Sequence, residues 1–181
     1  MRTLARAALF VAVVGAASGC VVEGTLDASG GAALTVRYRL VSVANFESSK
    51  ARMQSADVRL TSPSMAPDKT ATFELATADV RKLSSAPSFA TVTVALTDEP
   101  DGTRTLAVTI AGSTAVLPAP YVKYVGNDFR LSIEVPGEIV RSNGTSAAGR
   151  KATWVLPLAG KHEEATSLTV TFRPDAPPAR P

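Results

Sequence analysis

The chain has 181 residues, 45% of them hydrophobic, with 19 basic and 16 acidic side chains for a formal charge of +3, one histidine and one cysteine. A single cysteine excludes an intrachain disulfide, and with a single histidine it excludes a zinc site built from several His and Cys ligands. The lysines and arginines are scattered and aromatics make up only 6%, so the clustered basic footprint of a nucleic-acid binder is missing.

The chain begins MRTLARAALFVAVVGAASGCVVEG. Arg2 and Arg6 precede an uncharged apolar run, Ala7 to Gly19, which is the layout of a secretory signal peptide. The run is shorter than the roughly twenty residues a spanning helix needs. It closes on Ala17-Ser18-Gly19-Cys20, small residues before a cysteine. This resembles the bacterial lipobox, with Ala17 where leucine is commonest. The resemblance implies a diacylglyceryl group on the Cys20 thiol, cleavage between Gly19 and Cys20, and acylation of the new amino terminus. One acyl chain binds a membrane marginally, whereas two or three hold it stably. Val21 and Val22 follow Cys20, without the aspartate that retains lipoproteins at an inner membrane. The resemblance therefore implies the outer membrane in a two-membrane host, and the outer leaflet of the cytoplasmic membrane in a host with one. Removing residues 1–19 takes Arg2 and Arg6 with it, so the formal charge falls from +3 to +1. The 162 residues that remain suit one domain, large enough to bury about 70% of its unfolded surface.

Beyond the cysteine the dominant period is two. After a first strand, Ala28-Ser29-Gly30-Gly31 makes a turn, and ALTVRYRLV then places Leu34, Val36, Tyr38 and Leu40 on one face. Phe46 to Asp57 lacks β-branched residues and carries Phe46 and Met53 seven apart, which predicts a helix with a narrow apolar edge. Pro63-Ser64-Met65-Ala66-Pro67 reads as a loop within the domain. Thr77 to Leu83 predicts a short helix capped by Thr77, with Val80 and Leu83 on one side. TVTVALT and RTLAVTIA turn Val92, Val94 and Leu96, then Leu106, Val108 and Ile110, inward around the Asp98–Gly102 turn. FRLSIEV does the same with Phe129, Leu131, Ile133 and Val135 against Arg130, Ser132 and Glu134. SLTVTF does so with Leu168, Val170 and Phe172 against Ser167, Thr169 and Thr171. Alternation of this kind belongs to antiparallel sheets with one buried face. The expected class is α+β, mainly antiparallel β-sheet in meander-like hairpins, with one or two short helices packed on one face. The domain spans residues 20–173, and residues 174–181, rich in proline, form a disordered tail.

The late stretch VPGEIVRSNGTSAAGRKATWVLPLAG reads as a strand bend at Pro136-Gly137, a tight turn at Asn143-Gly144 and a returning strand carrying Trp154 as a core aromatic. Pro136-Gly137 followed by Asn143-Gly144 and Thr153-Trp154 also resembles the end of the LppM-like domain of bacterial envelope lipoproteins. That family likewise begins with a lipobox followed directly by a strand hairpin. The resemblance covers the lipobox and these late residues specifically, and the middle only through its order of elements. It implies a lipid-anchored α+β domain outside the cytoplasmic membrane, in contact with lipids or glycolipids, and it supplies no catalytic residues.

Little in the chain suggests an enzyme. His162 stands in Gly160-Lys161-His162-Glu163-Glu164, a polar turn without a nucleophile or an orienting partner. Glu134 falls on the wet face of its strand, and Asp98, Glu99 and Asp101 share a turn that lacks the spacing of a calcium loop. Phosphate-binding and nucleophile-elbow glycine motifs are absent. No catalytic residue, metal ligand or cofactor is therefore assigned. The connection Leu117 to Asn127 is unusual in crowding Tyr121 and Tyr124 beside Lys123. Such a loop suits an acyl chain or a partner protein, and it equally suits two tyrosines plugging one end of the core. The sequence thus points to a non-enzymatic, lipid-anchored binding or assembly module of the cell envelope; the alternative is a lipid or glycolipid binding or transfer domain with an apolar cavity between sheet and helices. Its partners are the membrane, through Cys20, and a lipid, glycolipid or envelope protein.

Overall fold

The structure is a computed structural model and describes residues 19–112, 128–157 and 163–175. Tyr121, Lys123, Tyr124 and His162 lie outside the described residues.

The chain opens with β1 (Gly19–Leu26) and β2 (Ala32–Arg39), an antiparallel hairpin. In its turn the Asp27 carboxylate accepts from the Ser29 and Gly31 N–H groups at 2.8 and 2.9 Å. Gly30 takes a φ of +94°, which only glycine adopts without strain. Helix α1 (Ala44–Arg52) follows and is shorter than the sequence suggests, because Met53 ends it and turns into the core. The expected apolar edge is present: Phe46 lies 5.6 Å from the Phe73 ring, and Met53 is buried.

Next come β3 (Val58–Met65) and β4 (Thr70–Thr77), a second hairpin. Pro63, read from sequence as loop, lies inside β3. An edge strand tolerates it because its outer N–H needs no ladder partner, and β3 is the edge of its sheet. The expected second helix is a 3-10 segment, Val80–Ser85, followed by a shorter one, Pro87–Phe89. Its cap is Asp79, whose carboxylate accepts from the Arg81 N–H, in place of Thr77. The Thr77 hydroxyl instead bonds the backbone of Asp79.

β5 (Val92–Asp98) and β6 (Arg104–Ile110) form a third hairpin. β7 (Asp128–Glu134), β8 (Gly137–Ser142), β9 (Ser146–Ala148), β10 (Lys151–Pro157) and β11 (Thr166–Pro174) complete the described elements. They assemble into a seven-stranded sheet, ordered β3-β4-β2-β1-β7-β10-β9, and a four-stranded sheet, ordered β5-β6-β11-β8.

The α+β class and its mostly antiparallel pairing hold, and the sequential hairpins form. Their arrangement departs from a meander wherever non-consecutive strands pair, as β2 with β4, β7 with β10 and β11 with both β6 and β8, and most of all where β1 pairs with β7 in parallel, Gly19 opposite Asp128 through Thr25 opposite Glu134. Asn143-Gly144 is also a correction: β8 and β9 belong to different sheets, so this stretch carries the chain from one to the other. The tight reversal lies later, at Gly149, with φ +57° between β9 and β10. Gly137 is required by close approach, since a Cβ there would sit 1.9 Å from the Arg173 carbonyl oxygen.

The inner faces match the alternation. Leu34 and Val36 of β2, Leu131 and Ile133 of β7, Leu106 of β6 and Leu168, Val170 and Phe172 of β11 are buried in one continuous core. Two outer-face hydroxyls are buried as well, because they pair across strands: Ser132 with Thr153, and Thr171 with Thr105, each at 3.0 Å.

Candidate functional site

Where the two sheets face each other, the core is incomplete. A cavity of about 600 Å³ remains between them, within the range of about 300–1,000 Å³ typical of small-molecule sites. One wall is built from Val22 of β1, Leu34 and Val36 of β2 and Phe129, Leu131 and Ile133 of β7. The opposite wall carries Val92 and Val94 of β5 and Leu106, Val108 and Ile110 of β6. Met53, after α1, and Val80, Leu83 and Phe89 from the 3-10 segments line the space between the walls. The period-two alternation explains the wall chemistry, since each strand sends every second residue inward.

Among the described residues the polar side chains of the lining are few: Tyr38, Ser49, Arg52, Ser88 and the thiol of Cys20. Tyr38, Ser49, Arg52 and Cys20 form one cluster. Burial pushes the Tyr38 hydroxyl above its ordinary value, while a hydrogen bond with Ser49 and the positive charge of Arg52 act against that rise. Arg52 is exposed to solvent at the end of α1 and makes no ion pair among the described residues. Burial pushes the Cys20 thiol up to about 11, so at neutral pH it is protonated and a poor nucleophile. An apolar chamber with a small polar cluster suits an amphipathic molecule, its chain between the sheets and its polar end at Tyr38, Ser49 and Arg52.

Of the residues singled out in the sequence, the structure places Cys20 in this lining, at the start of β1. The Tyr121, Lys123 and Tyr124 loop lies outside the described residues. Glu134 is exposed. In the turn between β5 and β6, Asp98 pairs with Arg104 at 2.5 Å, and the Asp101 carboxylate accepts from the N–H and hydroxyl of Thr103. Among the described residues no group of three or more His, Cys, Asp or Glu is placed to hold a metal ion, and no helix is long and apolar enough to cross a membrane.

The alternative reading of the sequence expects an apolar cavity between one sheet and its helices, whereas the space lies between two sheets with the helical segments at its side; sequence reasoning did not single out Tyr38, Ser49 or Arg52 as its polar lining. Tyr38 carried a signal, as the one inward residue of its strand with a polar tip. Nothing local marked Ser49 or Arg52, which reach the site only because α1 packs beside it.

No protein-family model matches the chain, and no curated protein matches it in sequence. Among solved structures, the NMR structure of the folded domain of LppM from Mycobacterium tuberculosis is similar in fold, with a TM-score of 0.56 and 12% identity. The match covers 90% of this chain and 92% of that one. The LppM-like fold implied by Pro136-Gly137, Asn143-Gly144 and Trp154 therefore extends over the whole domain.

Proposed function

We propose that this chain is a lipid-anchored protein of the cell envelope whose domain holds the acyl part of a lipid between its two sheets, without catalysing a reaction. The observation that carries this reading is the apolar cavity with the polar cluster of Tyr38, Ser49 and Arg52 among its described lining. Aliphatic walls contribute through burial of apolar surface, roughly 0.8 kcal/mol for each methylene taken from water. The Tyr38 hydroxyl and the Ser49 hydroxyl offer hydrogen bonds to an ester, and Arg52 offers charge to a phosphate. Binding and assembly with an envelope partner is the broader form of the same role.

The anchor belongs to this reading. Residues 1–19 act as the signal peptide, and the domain starts at Cys20 and extends past the expected end at 173, since β11 runs to Pro174 and Asp175 pairs with Arg150. The Cys20 sulfur takes a diacylglyceryl group from a phospholipid: a carbon–sulfur bond forms, the glyceryl carbon–oxygen bond to phosphate breaks, and the thiol proton leaves with the phosphate-bearing alcohol. Hydrolysis of the Gly19–Cys20 peptide bond then consumes one water. The fold similarity to a lipoprotein domain supports an envelope setting, and the choice of membrane follows host architecture as set out above.

The experiment is lipid extraction from the purified chain followed by mass spectrometry, with and without prior exposure to phospholipid vesicles. Recovery of non-covalent lipid near one per chain is expected, and a clean extract under both conditions contradicts acyl binding. Radiolabelled palmitate tests the anchor separately: label that persists in Cys20→Ala removes the lipoprotein assignment.

A further inference from the structure

The attachment point and the ligand cavity are the same place. Cys20 lines the cavity, and it does so from a central strand with β2 on one side and β7 on the other. Phe129 of β7 is its register partner, and Val21, the next residue, already sits opposite Arg37 of β2. No linker separates the anchor residue from the sheet. A group joined to this sulfur therefore starts from within the cavity wall.

We propose that in the lipidated chain one acyl chain of the Cys20 diacylglyceryl group occupies the cavity, so that the protein's own anchor is a displaceable occupant of its lipid site. This rests on the anchor and acyl-binding readings above. Three physical arguments carry it. A chain that leaves the bilayer for this cavity exchanges one apolar medium for another, so transfer is nearly neutral, while filling a void restores dispersion contacts that its lining otherwise lacks. Covalent attachment makes the entry intramolecular, at an effective concentration of about millimolar. Anchoring survives, since a diacylglyceryl group and an acylated amino terminus leave two chains for the bilayer, and two are enough.

The polar cluster fits the same geometry. Tyr38, Ser49 and Arg52 gather beside Cys20, where the ester groups of a sulfur-linked glyceryl would lie. Their hydroxyl and guanidinium donors meet the ester carbonyls there, and the hydrocarbon continues between Val94, Leu106 and Leu131. A free lipid entering the site must return the resident chain to the membrane, which ties loading to the way the domain sits on its anchor.

Photocrosslinking tests this in the intact chain. Cells making the protein are fed a diazirine-bearing fatty acid, irradiated, and the chain is digested for mass spectrometry. The expected result is Cys20 peptides joined through their acyl chain to peptides of β5, β6 or β7 in the same molecule. Crosslinks from the Cys20 acyl chains to membrane lipid alone overturn the proposal, as does a Cys20 that carries no acyl group. A second arm uses the full chain with Cys20→Ser in phosphatidylglycerol vesicles containing a diazirine phospholipid. Free lipid should label the same wall, at a yield at least about tenfold above that of the lipidated chain. If the serine variant is labelled and the lipidated chain is labelled equally by free lipid, self-occupancy falls and acyl binding stands. If neither is labelled, both fall.

Discussion

The indole Nε1 of Trp154 donates a 2.8 Å hydrogen bond to Oδ1 of Asn143. The same oxygen accepts from the Thr169 N–H at 2.7 Å, and the Asn143 amide nitrogen donates to the Ser167 carbonyl at 2.8 Å. One side chain thus joins β10 of the seven-stranded sheet to β11 of the four-stranded sheet at the crossing between them. Asn143→Ala removes all three bonds and leaves the indole N–H of a buried tryptophan without its partner. The expected cost is about 1–3 kcal/mol, read as a lower midpoint in urea. Asn143→Asp keeps the accepting oxygen and should cost less, and equal losses for the two variants would contradict this account.

The turn at Asp27 gives a pH test. The Ser29 hydroxyl bond, followed by the Gly31 and Ser29 N–H groups, holds the Asp27 carboxyl below its ordinary range. A carboxylate stabilised in the folded state contributes stability above its unfolded value of about 4, and that contribution is lost as pH falls through the lowered folded value. Asp27→Asn keeps an accepting oxygen but cannot titrate, so its stability difference from the parent should shrink between pH 5 and about pH 2. A difference that stays constant over that interval, measured by urea unfolding at each pH, would refute the assignment.

Cys20 carries the opposite shift. Burial holds its thiol near 11 instead of 9.0, so in the unlipidated chain about a hundredfold less thiolate is present at pH 8. Alkylation by iodoacetamide should be slower than in the denatured chain by about that factor. The sign for stability follows: the unfolded thiol loses its proton first, so the folded state binds more protons and stability falls as pH rises between about 9 and 11. Equal alkylation rates in the folded and denatured chains would show that the thiol is not in the cavity wall.

How far the sequence foretells this molecule depends on the range of the interaction involved. Leu34, Val36 and Tyr38 alternate with Thr35 and Arg37, and that local pattern suffices to assign the inner face of β2. The lipobox reading of Cys20 is local in the same way, since it rests on Ala17 to Gly19 beside it in the chain, and the palmitate experiment tests it. The pairing of Gly19 with Asp128 was not readable, because no local pattern records which distant strand will lie beside β1. Asn143-Gly144 misled through propensity: the pair favours a tight turn, but the side chain of Asn143 is used in bonds to Trp154, Thr169 and Ser167, and the reversal moved to Gly149. The cavity is the least local feature. Val94, Val108 and Leu131 look like core residues in every window, and only the separation of the two sheets decides that these described residues leave space between them.

That separation makes a pair of substitutions diagnostic. Phe172 is fully buried in β11 and does not line the cavity, so Phe172→Ala should cost about 3–5 kcal/mol through lost transfer energy and a new void. Val108 lines the cavity and is only half-buried. Enlarging a residue in a close-packed core usually costs about 1–3 kcal/mol, but Val108→Phe has empty volume to enter and should leave stability within about 1 kcal/mol of the parent, or raise it, since filling a void regains contacts. The same substitution removes room for an acyl chain, so lipid uptake should fall while the urea midpoint holds. A large loss of stability would show that the space is already filled by protein. Unchanged lipid uptake in a stable Val108→Phe variant would move the lipid site away from the gap between the sheets.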